Sequence, residues 1–287
     1  MILLDGKKVS QEIQKDLQSR IVSLQKDNVK PGLGVILVGN SQGSIAYVNM
    51  KHKKCSEMGI ITTFYHYQET ISQESILKTI NIMNGNPNVH GILVQLPLPK
   101  HLDTDLILNS VLKEKDVDGF HYYNTGKLFQ NKDYLFSPCT PRGCIELLNY
   151  YNIDVRGLDI TIIGSSNLVG LPLSIMLLHK GATVTICHID TKNVKDKCLN
   201  SDMIITCCGV PHLVKEDWVK KDTIIIDIGT NKIEGSKKLV GDVDFENVKD
   251  KCSYITPVPG GIGPMTIITL IQQVIESCEN ETGKGRI

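Results

Sequence analysis

The chain has 287 residues, 41% of them hydrophobic, and its 31 basic residues are balanced by 31 acidic ones. At about 150 residues per domain this length predicts two domains, each able to bury a core, and the composition excludes a disordered or low-complexity chain. A net charge of zero argues against nucleic-acid or polybasic membrane binding, because no excess cation is available to neutralise phosphates. No apolar run approaches the ~20 residues of a bilayer span, and the opening MILLDGKKVSQEIQ is too polar for a signal peptide. The expectation is a soluble, cytoplasmic protein. Its nine cysteines form no C-x-x-C pair, and Cys187, Cys207 and Cys208 sit in apolar runs, so reduced thiols and no structural metal are expected.

In chain order, Val9, Ile13, Leu17, Ile21 and Leu24 recur at helical spacing until Pro31-Gly32 breaks the pattern. Leu33 to Val38 is a short apolar run suited to a buried parallel strand. A helix follows to about Met58, capped by Gly59, and Ile61 to Tyr67 alternates as a strand. A helix from Ser72 to Gly85 precedes a second buried strand, Gly91 to Leu96, ended by Pro97 and Pro99. Beyond Pro138 and Pro141 a second series begins. Helix Gly143–Tyr150 leads to strand Asp159–Ile163, the loop Gly164–Gly170 and a helix to His179. Strands recur at Ala182–Cys187, Met203–Cys207 and Thr223–Ile228, and a last helix, Met265–Cys278, follows a glycine cluster. This alternation predicts an α/β fold of two domains, the second of nucleotide-binding type, with ligands at the carboxyl ends of the strands.

Several places on this framework are chemically unusual. Gly164-Ser-Ser-Asn-Leu-Val-Gly170 joins a buried strand to a helix, where glycines permit close backbone approach and free helix amides can hold a pyrophosphate. It departs from G-x-G-x-x-G at Ser166, and a plain strand–helix turn is the competing reading. Gly209 and Gly229 end two further strands of the same series. Tyr47 and Lys51 lie four apart on a helix that follows a strand's carboxyl end, so they share a face. Gln95 interrupts the apolar run GILVQLPLP, either capping nearby backbone or orienting a ligand or a lysine. In Lys115-Asp116-Val117-Asp118-Gly119 two acids either shape a turn or accept hydrogen bonds from an aminopyrimidine-type ring; spacing leaves both open. His188 sits next to a strand end, and Met176 and Met265 read as core.

Together these residues are similar to a known family. Tyr47-Val-x-x-Lys51, Gly91-Ile-Leu-Val-Gln-Leu-Pro-Leu-Pro99, Lys115-Asp-Val-Asp-Gly119, Pro138-Cys-Thr-Pro-x-Gly143 and Thr256-Pro-Val-Pro-Gly-Gly-Ile-Gly-Pro-Met-Thr266 resemble, in order, the bifunctional methylenetetrahydrofolate dehydrogenase/cyclohydrolase family. The resemblance implies a folate-binding domain, residues 1–138 completed by 264–287, and a Rossmann-like NAD(P)-binding domain, residues 139–263, with the active site where both sheets present their strand ends. It implies oxidation of 5,10-methylenetetrahydrofolate to the methenyl form, and hydrolysis of that to 10-formyltetrahydrofolate. Lys51, Tyr47, Gln95 and Asp118 would be catalytic, with Lys51 working as a neutral base. Ser44, Val94, Leu96, Pro259, Gly260, Gly261 and Pro264 would join them in binding tetrahydrofolate derivatives.

For the cofactor the resemblance implies Gly164, Ser165, Ser166, Val169, Gly170, His188, Ile189, Asp190, Cys208, Gly209, Gly229 and Thr230. Ser165 stands where the family often has Arg, Ile189 where it often has Ser, and Asp190 follows. A missing guanidinium weakens recognition of a 2′-phosphate, and an acid suits a free ribose hydroxyl. NADP, with Lys192 compensating, is the expectation and NAD the alternative. A homodimer is also implied. Competing readings are a dehydrogenase-only relative, which has no evident use for Lys51 with Gln95, and a catalytically silent nucleotide-binding regulator, which does not need Tyr47, Lys51, Gln95 and Asp118 together.

Overall fold

The computed structural model describes residues 1–233, 235 and 238–283. In chain order its elements begin with β1 (Ile2–Leu3), α1 (Gly6–Lys26), β2 (Gly32–Val38), α2 (Gln42–Met58), β3 (Ile61–Tyr67), α3 (Gln73–Asn84) and β4 (Gly91–Val94). They continue through α4 (Thr104–Asn109), α5 (Tyr122–Phe129), α6 (Cys139–Tyr150), β5 (Asp159–Ile163), α7 (Gly170–His179), β6 (Thr183–Cys187) and α8 (Val194–Leu199). The last are β7 (Met203–Thr206), β8 (Thr223–Asp227), β9 (Asn231–Lys232), β10 (Leu239–Val240), α9 (Phe245–Val248), β11 (Cys252–Ile255) and α10 (Ile262–Glu281).

The chain divides into two compact units. One holds Ile13–Cys139 and the segment from Ile267 onward; the other holds Met1–Glu12 and Thr140–Thr266. The first contains a three-stranded parallel sheet of order β3-β2-β4. β2 is buried along its whole length, as its unbroken apolar run requires of a central parallel strand. Ile36, Ile76, Ile80, Met83, Ile92 and Val94 form the core of this sheet with α3. The chain passes from β2 to β3 on one side and returns to β4 on the other, so strand order reverses at β2. The carboxyl ends of β2 and β4 therefore border the crevice where open α/β sheets place ligands.

The second unit repeats that device. Its six-stranded sheet, order β1-β11-β8-β7-β5-β6, is parallel throughout and reverses at β5. Ile163, Cys187, Ile204, Val214, Ile225 and Ile255 belong to its core. Both units are α/β, as the alternation of elements predicts, and Met176 and Met265 are buried.

Several boundaries differ from the sequence reading. β4 ends at Val94 rather than Leu96, because the paired register stops at Ile36 and Val94 and Pro97 offers no donor beyond. α10 extends past the expected Met265–Cys278 at both ends. By compactness residues 1–12 group with the six-stranded sheet, since β1 pairs with β11 and the Leu4 N–H donates to the Ile255 carbonyl at 2.8 Å. A two-residue strand carries no periodicity from which to read this. Residues 284–287 of the expected C-terminal segment lie outside the described residues.

Candidate active site

α2 begins at Ser41, whose hydroxyl accepts the Ser44 N–H, and ends at Gly59 in the left-handed conformation. Between these caps, 3.6-residue periodicity stacks Tyr47, Lys51 and Cys55 along one face. Lys51 is only 5% exposed. Its Nζ donates to Gln95 Oε1 at 3.1 Å, and Gln95 Nε2 donates to the Leu96 carbonyl at 2.8 Å. The second bond turns the amide so that its oxygen faces the amine. The Tyr47 ring closes another side, its centroid 4.5 Å from Nζ. Burial lowers the Lys51 pKa, while Asp118, Cys139 and Cys55 oppose the shift. Burial also pushes the Cys55 thiol up to about 12, so it remains neutral behind the lysine.

The two acids of Lys115–Gly119, for which spacing left a turn-shaping and a ligand-binding reading open, stand in different surroundings. Asp116 makes the turn: its carboxylate accepts the Phe120 N–H at 3.1 Å, the His121 N–H at 2.9 Å and Asn124 Nδ2 at 2.8 Å. Burial nonetheless raises its pKa to about 7. Asp118 interacts electrostatically with the lysine. Burial raises its pKa, and the Lys51 charge and a hydrogen bond from Cys139 pull it back. Gly119, at φ +75°, cannot carry a side chain, because a Cβ would stand 2.2 Å from the Ser137 carbonyl carbon.

Gln273 and Cys139, not singled out from the sequence as site residues, hold this turn. Gln273 Nε2 donates to the carbonyls of Val117 at 2.7 Å and Ser137 at 3.0 Å, and Oε1 accepts the Ser137 N–H at 3.0 Å. The available signal was an amide on the apolar face of the last helix, where Gln273 is fully buried.

Of the other expected folate residues, Ser44 and Leu96 are half-buried near this cluster's elements, and the Val94 side chain lies in the core. Pro259, Gly260, Gly261 and Pro264 fall in the unit of the six-stranded sheet. There the Lys7 N–H donates to the Gly260 carbonyl at 2.9 Å, and a Cβ on Gly6 would meet the Gly261 oxygen at 1.9 Å.

In that unit the loop after β5 is built for close backbone approach. A Cβ on Gly170 would lie 1.9 Å from the Gly164 oxygen, and one on Gly164 (φ +129°) 2.6 Å from the Cys207 oxygen. α7 begins at Gly170, its N-cap Val169 makes no side-chain cap hydrogen bond, and a helix N-terminus of this kind favours an anion. Ser165 and Ser166 are exposed, and Ser166 Oγ accepts the Val169 N–H at 3.2 Å. At the end of β6, Ile189 is 99% exposed, and His188 Nδ1 lies 3.7 Å from Asp190 Oδ2. Cys208 and Gly209 follow β7; Gly229 and Thr230 follow β8. A glycine cradle at an uncapped helix N-terminus beside the reversal of strand order fits a dinucleotide. Among the described residues, no group of three or more His, Cys, Asp or Glu is arranged to hold a metal ion, and no helix is long and apolar enough to cross a membrane.

Comparison with known proteins identifies the family. Residues 4–118 match the catalytic domain, and residues 138–282 the NAD(P)-binding domain, of tetrahydrofolate dehydrogenase/cyclohydrolase. The bifunctional protein FolD of Sulfurimonas denitrificans is 51% identical over 280 residues, covering 97% of this chain and 98% of that protein. The crystal structure of the Campylobacter jejuni bifunctional enzyme FolD superposes with a TM-score of 0.95 at 48% identity, covering 98% of this chain and 99% of that one. That of Trypanosoma brucei FolD, complexed with NADP and an inhibitor, reaches 0.95 at 31% identity over 98% of both. With two domain matches and full-length relatives at this identity, the chain belongs to the tetrahydrofolate dehydrogenase/cyclohydrolase family.

Proposed function

We propose that this protein oxidises 5,10-methylenetetrahydrofolate to 5,10-methenyltetrahydrofolate with a nicotinamide dinucleotide, then hydrolyses the product to 10-formyltetrahydrofolate. The observation that carries the reading is the buried amine of Lys51, held by Gln95 Oε1 and covered by Tyr47. Hydride transfer has no use for such a base; attack of water on a methenyl cation does.

The bound dinucleotide accepts the hydride from the methylene carbon, a step assisted by the folate nitrogens and limited by alignment. Asp118 grips the pterin end of the folate and Tyr47 lies against it, with Ser44 and Leu96 completing the contacts. Lys51, its charged form disfavoured by burial, takes a proton from the attacking water while Gln95 fixes the direction of its lone pair. The protonated amine then returns that proton to the departing ring nitrogen as its bond to carbon breaks, and the remaining hydroxyl proton leaves to solvent as the formyl carbonyl forms. Asp118 and Tyr47 keep the ammonium within reach energetically, so Lys51 can hold a proton transiently between the two transfers.

Gly164, Gly170 and the start of α7 hold the pyrophosphate, and the ends of β7 and β8 carry Cys208, Gly209, Gly229 and Thr230 toward the nicotinamide. The dinucleotide is NADP in this reading, with Lys192, exposed in the connection from β6 to α8, as the cation for its 2′-phosphate. A second reading, NAD, is favoured by Asp190 beside His188, an acid suited to ribose hydroxyls. The protein acts as a cytoplasmic homodimer, which light scattering of the purified chain checks.

The test is formation of methenyltetrahydrofolate, followed by absorbance, with NADP and NAD at matched concentrations in wild type and Lys51→Met. Oxidation is expected in both proteins and hydrolysis in the wild type alone. No oxidation with either dinucleotide removes the dehydrogenase, and undiminished hydrolysis in the variant removes the role of Lys51.

A further inference from the structure

Beneath the loops that follow β7 and β8 lie two buried carboxylates that the mechanism does not use. Asp242, in the segment after β10, is wholly buried. Its Oδ2 accepts the Cys208 N–H at 2.8 Å, the Gly209 N–H at 3.1 Å and the Cys208 thiol at 3.3 Å. Its Oδ1 accepts Asn231 Nδ2 at 2.8 Å. One carboxylate thus joins the loop after β7 to the loop after β8.

The fit is close on every side. A Cβ on Gly229 would lie 2.2 Å from the Asp242 carboxyl carbon, so the backbone of the second loop rests directly against the carboxylate. Asp242 is held in turn by Asp227, at the end of β8. Asp227 Oδ1 accepts the N–H groups of Asp242 and Gly229 at 3.0 Å each and Thr206 Oγ1 at 2.9 Å, while Oδ2 accepts the Val243 N–H at 2.9 Å. A Cβ on Gly241 would come within 1.8 Å of Asp227 Oδ2.

This is more than a turn needs for its own stability. Backbone amides of loop residues normally find water, and Gly209, exposed and at φ +70°, lies where water is available. Instead its N–H and that of Cys208 converge on a single anionic oxygen, which fixes the peptide plane between them. We propose that Asp242 is a positioning residue for the dinucleotide: it sets the mutual geometry of Cys208-Gly209 and Gly229-Thr230-Asn231, the two loops assigned above to the nicotinamide side, and touches neither substrate nor cofactor. The inference rests on the assignment of those loops to the dinucleotide. It predicts a division between the two activities, since hydrolysis of methenyltetrahydrofolate needs Lys51 and no dinucleotide.

The experiment measures three quantities in the full-length protein: KM for NADP and NAD in oxidation, calorimetric Kd for the same dinucleotides without folate, and the hydrolysis rate on methenyltetrahydrofolate with no dinucleotide present. Asp242→Ala is expected to raise KM and Kd by about tenfold or more, the scale of a lost charge-assisted hydrogen bond, with hydrolysis within about twofold of wild type. Asp242→Asn is expected to be intermediate. Adding Asn231→Asp to Asp242→Asn is expected to recover much of the loss, because the exchanged pair keeps an acceptor toward Cys208 and Gly209 and a hydrogen bond across the loops. Unchanged Kd in Asp242→Ala overturns the proposal. So does a parallel loss of both activities in Asp242→Asn that the exchange does not repair, which is the signature of general destabilisation. If the wild type shows no dinucleotide-dependent oxidation, the functional reading fails by itself, and the calorimetric constants still decide the role of Asp242.

Discussion

The two sheets use one topological device for two kinds of site. At β2, where strand order reverses in the three-stranded sheet, the site is made of side chains: a buried amine, an amide aimed at it, a phenol ring and an acid. At β5, where order reverses in the six-stranded sheet, the site is made of backbone. Its glycines admit no Cβ and its helix start is uncapped, while Ser165, Ile189 and Asp190 project into solvent. The difference matches the chemistry proposed for each. Moving a proton requires a titratable group whose pKa the fold can shift, whereas holding a phosphate requires many fixed N–H dipoles that any sequence with room for the backbone can present.

This contrast can be broken most directly at Lys51. Lys51→Met is expected to lower hydrolysis by about 10²- to 10⁴-fold, the range of a lost general base, and to leave oxidation within about tenfold. In the wild type, hydrolysis should fall as pH drops through the lowered Lys51 pKa, below the ordinary lysine range, because only the neutral amine accepts a proton. The same shift makes the lysine a stability cost. Its folded pKa is depressed, so the penalty is full below that value and is relieved as pH rises toward the unfolded one. Thermal melts should therefore place Lys51→Met at or above wild type at pH 7, with the gap narrowing at higher pH.

At the backbone site the sensitive change is a methyl group. Gly170→Ala puts a Cβ against the Gly164 oxygen, which as backbone cannot swing aside. An overpacking cost of about 1–3 kcal/mol, or a Tm lower by several degrees, is expected, together with weaker dinucleotide binding and normal hydrolysis. A smaller effect is expected at Asp190. Removing its charge in Asp190→Asn should shift the ratio of kcat/KM for NADP over NAD upward by about fivefold, consistent with ~1 kcal/mol between charges in water. The smallest belongs to Ile189→Ala. A side chain 99% exposed should change either activity less than about twofold, and a larger change would show that the strand-end side chains matter more than the backbone cradle.

How far the sequence revealed each site tracks the same contrast. Tyr47 and Lys51 were readable because four residues on a helix define a shared face, and Gln95 because an amide in an apolar run needs a partner. The roles of Asp116 and Asp118 were not separable by spacing, since alternation within a turn does not say which acid accepts the Phe120 and His121 amides and which feels the Lys51 charge. Gln273 stayed hidden because its partners Ser137 and Val117 lie 136 and 156 residues away. Asp242 was equally silent, bonded to Cys208 34 residues earlier and to Asn231 through a short hairpin.

Local pattern was therefore enough for the α/β alternation, most strands to within a residue or two, and the residue types able to do chemistry, because helix and strand periods are written in neighbouring positions. It did not reach the pairing of β1 with β11, the strand orders that reverse at β2 and β5, or the direction in which each acid and amide points. Those depend on contacts between segments far apart in the chain, where burial and hydrogen-bond satisfaction, rather than neighbouring residues, select the partner.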